Sequence, residues 1–136
     1  MDATPRKPWW RRWFGNRSER AAARYLRRLG CRILTRNYSC PQGELDLVVE
    51  DAGCVVFVEV RSTERVDASR PAASVNFAKQ RRLTDLALHY LKKHKLLDAA
   101  ARFDVLAISW PPQQKEPRIE HFRNAFEAVG QFQMYS

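Results

Sequence analysis

Two apolar segments of this chain, residues 43–49 and 55–61, each carry a carboxylate near the middle. Asp46 lies in the first segment and Glu59 in the second, and Arg61 follows two residues after Glu59. A carboxylate buried without a partner strongly destabilises a fold, so it is normally paired, protonated or bound to a metal ion. Because alternate residues of a strand share a face, Glu59 and Arg61 lie on the same side of the second strand. The pattern predicts a functional site on two neighbouring strands.

The remaining periodicity predicts an α/β domain with the element order α-β-β-β-α-β. Three strands form a meander, and the second helix makes a right-handed crossover that places the last strand, around Phe103, parallel to a partner. A mixed sheet flanked by helices is therefore expected. The other predicted segments are a helix that begins at Ser18 and ends before Gly30, a strand at 31–35, a turn at 37–42, a loop at 62–73, a helix at 74–94, a strand at 102–109, an edge strand at 118–122 and a short helix at 124–129.

The hairpin between the two acidic strands has two candidate registers. A two-residue turn at 52–53 places Asp46 directly opposite Glu59, with their Cβ atoms about 5 Å apart on one face. A three-residue loop that ends at Gly53 turns Asp46 away from Glu59, unless a bulge restores the phase. Turn chemistry alone leaves both registers open.

Carboxylates on adjacent strands provide what metal-dependent phosphodiester cleavage requires, since Mg²⁺ or Mn²⁺ activates water and neutralises the developing charge. Asp46 and Glu59 are the predicted metal ligands, and Arg61 is the predicted cation beside them. Glu19, on the core-facing side of the first helix, is a third candidate carboxylate, or else a charge that interacts with the helix dipole. Lys79 either reaches the site with its amine or faces solvent.

The net charge of +9 is concentrated in residues 1–38, which hold eleven Arg and Lys against two acidic residues. Such a field attracts polyanions, so nucleic acid, and DNA in particular, is the predicted partner. The alternative is a solvated surface that serves solubility. The arginines predicted to contact nucleic acid are Arg11, Arg12, Arg17, Arg20 and Arg24.

The predicted organisation is a basic, Trp-rich tail at 1–16, a single domain at 17–130 and a C-terminal tail at 131–136. Trp9, Trp10 and Trp13 could stack on unpaired bases, insert at an anionic membrane surface, or belong to a simple extension of the domain. No apolar run is long enough for a transmembrane segment, and three cysteines without a C-x-x-C pair argue against a zinc site or disulfides. These features favour a cytoplasmic location.

Four motifs carry a resemblance to a known family. They are Glu44-Leu45-Asp46-Leu47-Val48, Val56-Phe57-Val58-Glu59-Val60-Arg61, Lys79-Gln80 with Leu83, and Arg102-Phe103-Asp104-Val105. From about residue 15 to residue 128 the chain resembles the YraN family of uncharacterised bacterial proteins. That family is assigned to the restriction-endonuclease-like superfamily (PD-(D/E)XK nucleases) and is similar to archaeal Holliday-junction resolvases.

The resemblance implies a restriction-endonuclease-like core with a metal site. It assigns metal-ligand roles to Asp46 and Glu59 and the acidic role of the first helix to Glu19. Arg61 occupies the position of the superfamily's lysine, and this departure matters because arginine cannot act as a base at any working pH. Arg61 could still bind a phosphate oxygen or position water, and Lys79 could supply an amine.

Two functions are predicted. The first is a Mg²⁺-dependent nuclease that acts on structured or branched DNA. The second is a non-catalytic nucleic-acid-binding protein on a nuclease fold, a reading that Arg61 motivates. A partner-binding or membrane-peripheral protein is a third class, and analogy with junction-cutting enzymes suggests a homodimer.

Overall fold

The computed structural model describes residues 17–63 and 75–129, which form a five-stranded sheet with a helix on each face. The mixed α/β fold and the predicted order of elements are confirmed, and the described chain ends in a further strand. The elements are α1 (Arg17–Arg28), β1 (Arg32–Cys40), β2 (Gly43–Asp51), β3 (Cys54–Thr63), α2 (Phe77–Lys93), β4 (Ala101–Ser109) and β5 (Arg118–Phe126).

The strands lie side by side in the order β1-β2-β3-β4-β5. β3 and β4 are parallel, as predicted for the strand at Phe103, and the other three pairs are antiparallel. A parallel pair needs a crossover, and α2 provides it by returning the chain from the end of β3 to the start of β4. The start of β2, the end of β3 and the start of α2 therefore meet at one edge of the sheet. We call this edge, marked by Gly43, Ser62 and Phe77, the site edge.

Alternation along the strands divides the buried side chains between two cores, one under each helix. Each fully buried Leu, Val or Phe side chain stabilises the fold by about 1.5–3 kcal/mol relative to an exposed one. The α2 core includes Tyr38, Leu45, Val48, Phe57, Leu86, Tyr90, Phe103 and Val105. The α1 core includes Ala21, Ala22, Leu26, Leu47, Val49, Val56, Val58, Leu106 and Ile108.

Gly30 ends α1, as predicted. Its φ of 92° lies in the left-handed region that glycine adopts without steric cost. The Gly30 N–H donates to the carbonyl of Arg27, and the Cys31 N–H donates to the carbonyl of Leu26, both at 3.0 Å. This pair of hydrogen bonds is a Schellman motif, which satisfies carbonyls that the helix end would otherwise leave unpaired.

Asn76 begins α2 as its N-cap, so the helix starts three residues later than the expected position 74. The Asn76 side-chain oxygen accepts a hydrogen bond from the Lys79 N–H at 2.8 Å, which is the role of an N-cap residue. The cap fixes the first turn of the helix, and with it the backbone position of Lys79.

β1 is longer than predicted and runs to Cys40, so the predicted turn at 37–42 shrinks to residues 41–42. Asn37 has a φ of 51°, a left-handed conformation that asparagine tolerates better than most residues. The strand continues beyond it because Tyr38 pairs with Leu45 and both side chains are buried. Tertiary pairing thus outweighs the local turn preference.

The predicted short helix at 124–129 is wrong, because β5 continues to Phe126. Phe126 stacks on Phe103 with ring centroids 4.6 Å apart, and these two residues are partners in the β4–β5 ladder. Asn124, with a φ of 51°, donates its N–H to the Asp104 carboxylate at 3.0 Å. This hydrogen bond to a buried carboxylate distant in sequence therefore favours a strand over a helix in this segment.

The predicted tails at 1–16 and 131–136, with Trp9, Trp10 and Trp13, lie outside the described residues. Neither α1 nor α2 is long and apolar enough to cross a membrane.

Candidate active site

The hairpin between β2 and β3 has the two-residue turn. Ala52 and Gly53 have φ values of 50° and 87°, the pair of positive angles that a type I′ turn requires. Asp51 pairs with Cys54, and the ladder continues in the same register to Leu47 and Val58. The structure therefore selects the register that brings Asp46 level with Glu59.

β2 changes phase at Asp46. Leu45 and Val48 both enter the α2 core although they are three residues apart, and Leu47 enters the α1 core. Regular alternation cannot produce that spacing, so the strand is irregular at this step. The irregular step lies at Asp46, directly after the last regular β2–β3 pair, and Glu59 lies on the α2 side of the sheet between Val58 and Val60 of the α1 core.

The β1 residue level with Asp46 is Asn37, the residue with the left-handed φ. Both strands are therefore irregular at the same step, and their pairing continues on either side of it. The Asn37 side-chain oxygen is buried and has no hydrogen-bond partner among the described residues. An irregular backbone conformation beside a carboxylate, with a buried side-chain oxygen that has no hydrogen-bond partner among the described residues, is typical of functional sites in proteins.

The Asp46 carboxylate is attached to β3. Its Oδ2 accepts a hydrogen bond from the Val60 N–H at 2.9 Å. The regular β2–β3 pairing ends just before this point, at Leu47 and Val58. The carboxylate thus accepts from a β3 amide beyond the last regular backbone pair, and it does so directly beside Glu59.

Lys79 reaches the site. Its Nζ lies 2.6 Å from Oε1 of Glu59, so the first turn of α2 meets β3 through an ion pair. The Glu59 side chain is 12% exposed and that of Lys79 is 40% exposed. Solvent therefore reaches the Lys79 side of the ion pair more readily than the Glu59 side. Of the two alternatives for Lys79, the structure shows contact with the site, although the side chain also keeps partial access to solvent.

Arg61 lies on the same face of β3 as Glu59, because Val56, Val58 and Val60 alternate with them into the α1 core. It is half-buried. β3 therefore contributes Arg61, and α2 contributes Lys79, as basic side chains on the side of the sheet that carries Glu59.

Glu19 lies on α1, the helix that packs on the opposite side of the sheet from α2. Across residues 17–63 and 75–129, no three His, Cys, Asp or Glu side chains form a group that could hold a metal ion. The expected convergence of Glu19 with Asp46 and Glu59 is therefore not found. The assignment of Glu19 as a metal ligand stays a prediction.

The first turn of α1 is attached to the site edge by buried Ser18. The Ser18 hydroxyl donates to the Ser62 hydroxyl at 2.7 Å and accepts from the Trp110 indole N–H at 2.9 Å. The Arg17 guanidinium lies 4.0 Å from the centroid of the Trp110 ring, a cation–π contact. These contacts fix α1 relative to the strand that carries Glu59.

The outer surface of α1 carries an arginine face. At 3.6 residues per turn its five arginines fall within an arc of about 100°, opposite buried Ala22 and Leu26. All five are exposed, and three of them, Arg17, Arg20 and Arg24, were predicted to bind nucleic acid. Arg11 and Arg12 lie outside the described residues. The arginine face consists of Arg17, Arg20, Arg24, Arg27 and Arg28.

A buried polar network on the α1 side of the sheet was not predicted as a site. Asp104, 1% exposed, accepts from Arg102 Nε at 3.0 Å and lies 2.8 Å from His121 Nε2. The other ring nitrogen of His121 lies 3.1 Å from the Tyr25 hydroxyl on α1. Arg102 also pairs with Asp51 at 2.8 Å. In the sequence, this network was indicated by Asp104, a single carboxylate inside an apolar strand, but the members of the network come from several elements.

This network shifts the titration of its members. The hydrogen bond from Arg102 holds the pKa of Asp51 below its ordinary value, although burial opposes the shift. Burial alone would lower the pKa of Arg102, but hydrogen bonds to Asp104 and Asp51 raise it above its ordinary value. Burial raises the pKa of the nearby Cys31 and Cys54 thiols. The network therefore stabilises the packing of α1 and β5 as a charged cluster.

The model of the uncharacterised protein family UPF0102 matches residues 18–108. The chain belongs to this family. The UPF0102 match extends from α1 to β4, so it includes Glu19, Asp46, Glu59 and Lys79. His121 in β5 lies outside it.

Relatives in the UPF0102 family are 40–45% identical to this chain over the matched segments. A UPF0102 protein of Pelotomaculum thermopropionicum is 45% identical and covers 85% of this chain and 97% of its own length. A relative from Rhodopirellula baltica is 43% identical over 85% of this chain and 71% of its own length. One from Myxococcus xanthus is 42% identical over 87% and 92%.

Among solved structures, the chain is similar to Pyrococcus furiosus SfsA in complex with Ca²⁺. The two are 19% identical, the match covers 76% of this chain and 58% of SfsA, and the TM-score is 0.35. A TM-score this low supports no statement about fold or function.

Proposed function

We propose that this protein is a metal-dependent nuclease that binds structured DNA and hydrolyses its phosphodiester bonds. The observation that carries the proposal is the constellation of Asp46, Glu59 and Lys79 at the site edge. There Asp46 accepts from Val60 at 2.9 Å, and Glu59 forms an ion pair with Lys79 at 2.6 Å. The resemblance to restriction-endonuclease-like nucleases supports the same assignment.

The donor set suits a hard divalent cation. Mg²⁺ is usually held by one or two carboxylates and completes its shell with water and substrate phosphate, so three protein carboxylates are not required. Asp46 and Glu59 would hold Mg²⁺ or Mn²⁺, because both are oxygen ligands on adjacent strands and the Asp46 carboxylate bonds the amide of Val60, the residue after Glu59. When bound, the metal would supply an activated water and neutralise charge on the phosphate.

The chain's own cations complete the site. Lys79 and Arg61 would stabilise the negative charge that develops on the phosphoryl oxygens. Lys79 provides the amine that Arg61 lacks, from the first turn of α2 rather than from the strand. The arginine face would bind backbone phosphates, and the Ser18 contacts keep it at a constant position relative to Glu59.

The test is cleavage of branched, nicked and single-stranded DNA with Mg²⁺ or Mn²⁺. We expect activity in the wild type, and decreases of about 100- to 1000-fold in E59Q and K79A, since removal of one charge-stabilising group typically costs this much. E116Q, in the exposed loop before β5, is the matched control and should cleave like the wild type. A wild-type protein that cleaves none of these substrates with either metal, at high concentration, would refute the proposal.

A second candidate is a nucleic-acid-binding protein that does not cut. Arg61 in the lysine position and the exposed arginine face favour it. Binding should then weaken steeply with salt and survive E59Q. A double substitution R24A/R28A should lower the slope of log K against log salt by about 0.9 for each phosphate that the two arginines neutralise in the wild type.

The matched control for the arginine face is R32A. Arg32 is exposed but forms an ion pair with Glu50 at 3.1 Å and lies in β1. We expect R32A to leave the salt slope unchanged. Equal slopes in R24A/R28A and the wild type would exclude the arginine face as the binding surface.

Flotation with anionic liposomes separates both candidates from a membrane-peripheral protein. The homodimer, the cytoplasmic location and the preference for DNA over RNA stay predictions.

A further inference from the structure

Phe77, the first residue of α2, leaves a large aromatic ring in water. Its exposed fraction is 63%, above those of Leu97 at 51% and Leu29 at 43%, the other large apolar side chains exposed in the described part of the chain. The remaining apolar residues of α2 turn toward the sheet and are mostly buried. Packing among the described residues therefore does not explain Phe77.

Phe77 belongs to the capped first turn of α2, the turn that also carries Lys79 of the candidate active site. The Asn76 cap fixes the first turn of α2 through the Lys79 N–H. Phe77 lies two residues before Lys79, whose ammonium contacts Glu59, so the two side chains leave the same helix turn on different sides. An aromatic ring on a fixed helix end loses little conformational entropy when a ligand stacks on it.

The surroundings of the ring are basic. The first turn of α2 contains no acidic residue. Arg81 follows Phe77 by one turn on the same helix face and is exposed, as is Arg82. The Arg82 stem lies along the start of β2, because a Cβ built on Gly43 would be 3.7 Å from Arg82 Cδ. Asp85 is the first acidic residue of the helix, one further turn along.

We propose that Phe77 is a stacking platform for an unpaired base of nucleic acid, with Arg81 binding the adjoining backbone phosphate. An aromatic face beside arginines is the composition of sites that bind single strands, where every base offers a ring to stack on. A second copy of this chain would be a poorer occupant, because it would bring the same positive charges to the contact. The inference rests on the proposed nucleic-acid binding and specifies its substrate as DNA with unpaired bases at the site edge.

The test uses the full chain in EDTA, so that binding is measured without cleavage. The probes are a single-stranded oligonucleotide that contains 2-aminopurine and a duplex of the same length. Because base stacking is removed, F77A should bind the single strand about 5- to 100-fold more weakly than the wild type. Duplex binding should change little. F77W should keep both the affinity and the 2-aminopurine signal, and L97A is the control for an exposed apolar side chain elsewhere.

Three outcomes would overturn the inference. F77A could bind the single strand as tightly as the wild type does, or it could lose single-strand and duplex affinity equally. F77A could also abolish a concentration-dependent self-association of the wild type, seen by sedimentation, while binding is unchanged. These results leave the nuclease proposal standing. If instead the wild type binds neither probe, the proposed nucleic-acid binding itself is refuted. That result differs from the three outcomes above, so failure of the proposed function is distinguishable from failure of the role given to Phe77.

Discussion

Removal of the Asp104 carboxylate should strongly destabilise the fold. The side chain is 1% exposed and accepts from Arg102 Nε at 3.0 Å, from Arg102 Nη2 at 3.3 Å and from the Asn124 N–H at 3.0 Å, with His121 Nε2 at 2.8 Å. D104A leaves Arg102 with Asp51 as its remaining carboxylate and removes the acceptor of the Asn124 N–H. Breaking a buried ion pair from one side costs about 3–5 kcal/mol.

Urea unfolding at pH 7 measures this change. With a slope near 2 kcal/mol per molar urea, the midpoint should fall by about 1.5–2.5 M in D104A. D104N keeps the shape but not the charge, and should be destabilised by about 1.5–3 kcal/mol, so it stays measurable if D104A does not fold. D98A removes an exposed carboxylate and should change stability by less than about 0.5 kcal/mol. A destabilisation in D104A as small as that in D98A would refute the reasoning.

Three further predictions concern stability. The hydrogen bond from Arg102 lowers the pKa of Asp51 in the folded state. The contribution of Asp51 to the free energy of unfolding is therefore complete above its ordinary pKa of 3.8 and is lost as pH falls through the lowered pKa. D51N should lose less stability at acid pH than the wild type, and an equal loss would contradict this. G30A should cost about 1 kcal/mol in urea unfolding, because φ is 92° while nothing lies within 4 Å of the added Cβ. A52N should stabilise the hairpin by about 0.5–1 kcal/mol in the same assay, since asparagine suits a positive φ before Gly53, and a destabilised variant would count against the assigned turn.

Much of the fold follows from local patterns. Apolar segments identified β2 and β3, and Gly30 marked the end of α1 because its role depends on the backbone of its own neighbours. The errors have a different origin. Asn37 looked like a turn and residues 124–129 looked like a helix, yet Leu45 and Phe103 hold these segments in strands. Local preference is weaker than pairing with a buried partner distant in sequence.

The candidate site was predictable in its residue types but not in its geometry. Asp46 and Glu59 were identified because carboxylates are unusual in apolar strands. Whether they lie level depended on a turn that admits two registers, and the φ values of Ala52 and Gly53 decide it. The contact between Lys79 and Glu59 joins a helix to a strand through a capped first turn, and the partners of Asp104 include residues of β4 and β5. No spacing rule in the sequence encodes such contacts.

The hydrogen bond between Ser18 and Ser62 has a consequence for the products of an active enzyme. It joins the helix that would hold the DNA backbone to the strand that would carry the cleavage site, so the two move together. Cleavage would then fall at a constant offset from the bound phosphates, whatever the base sequence.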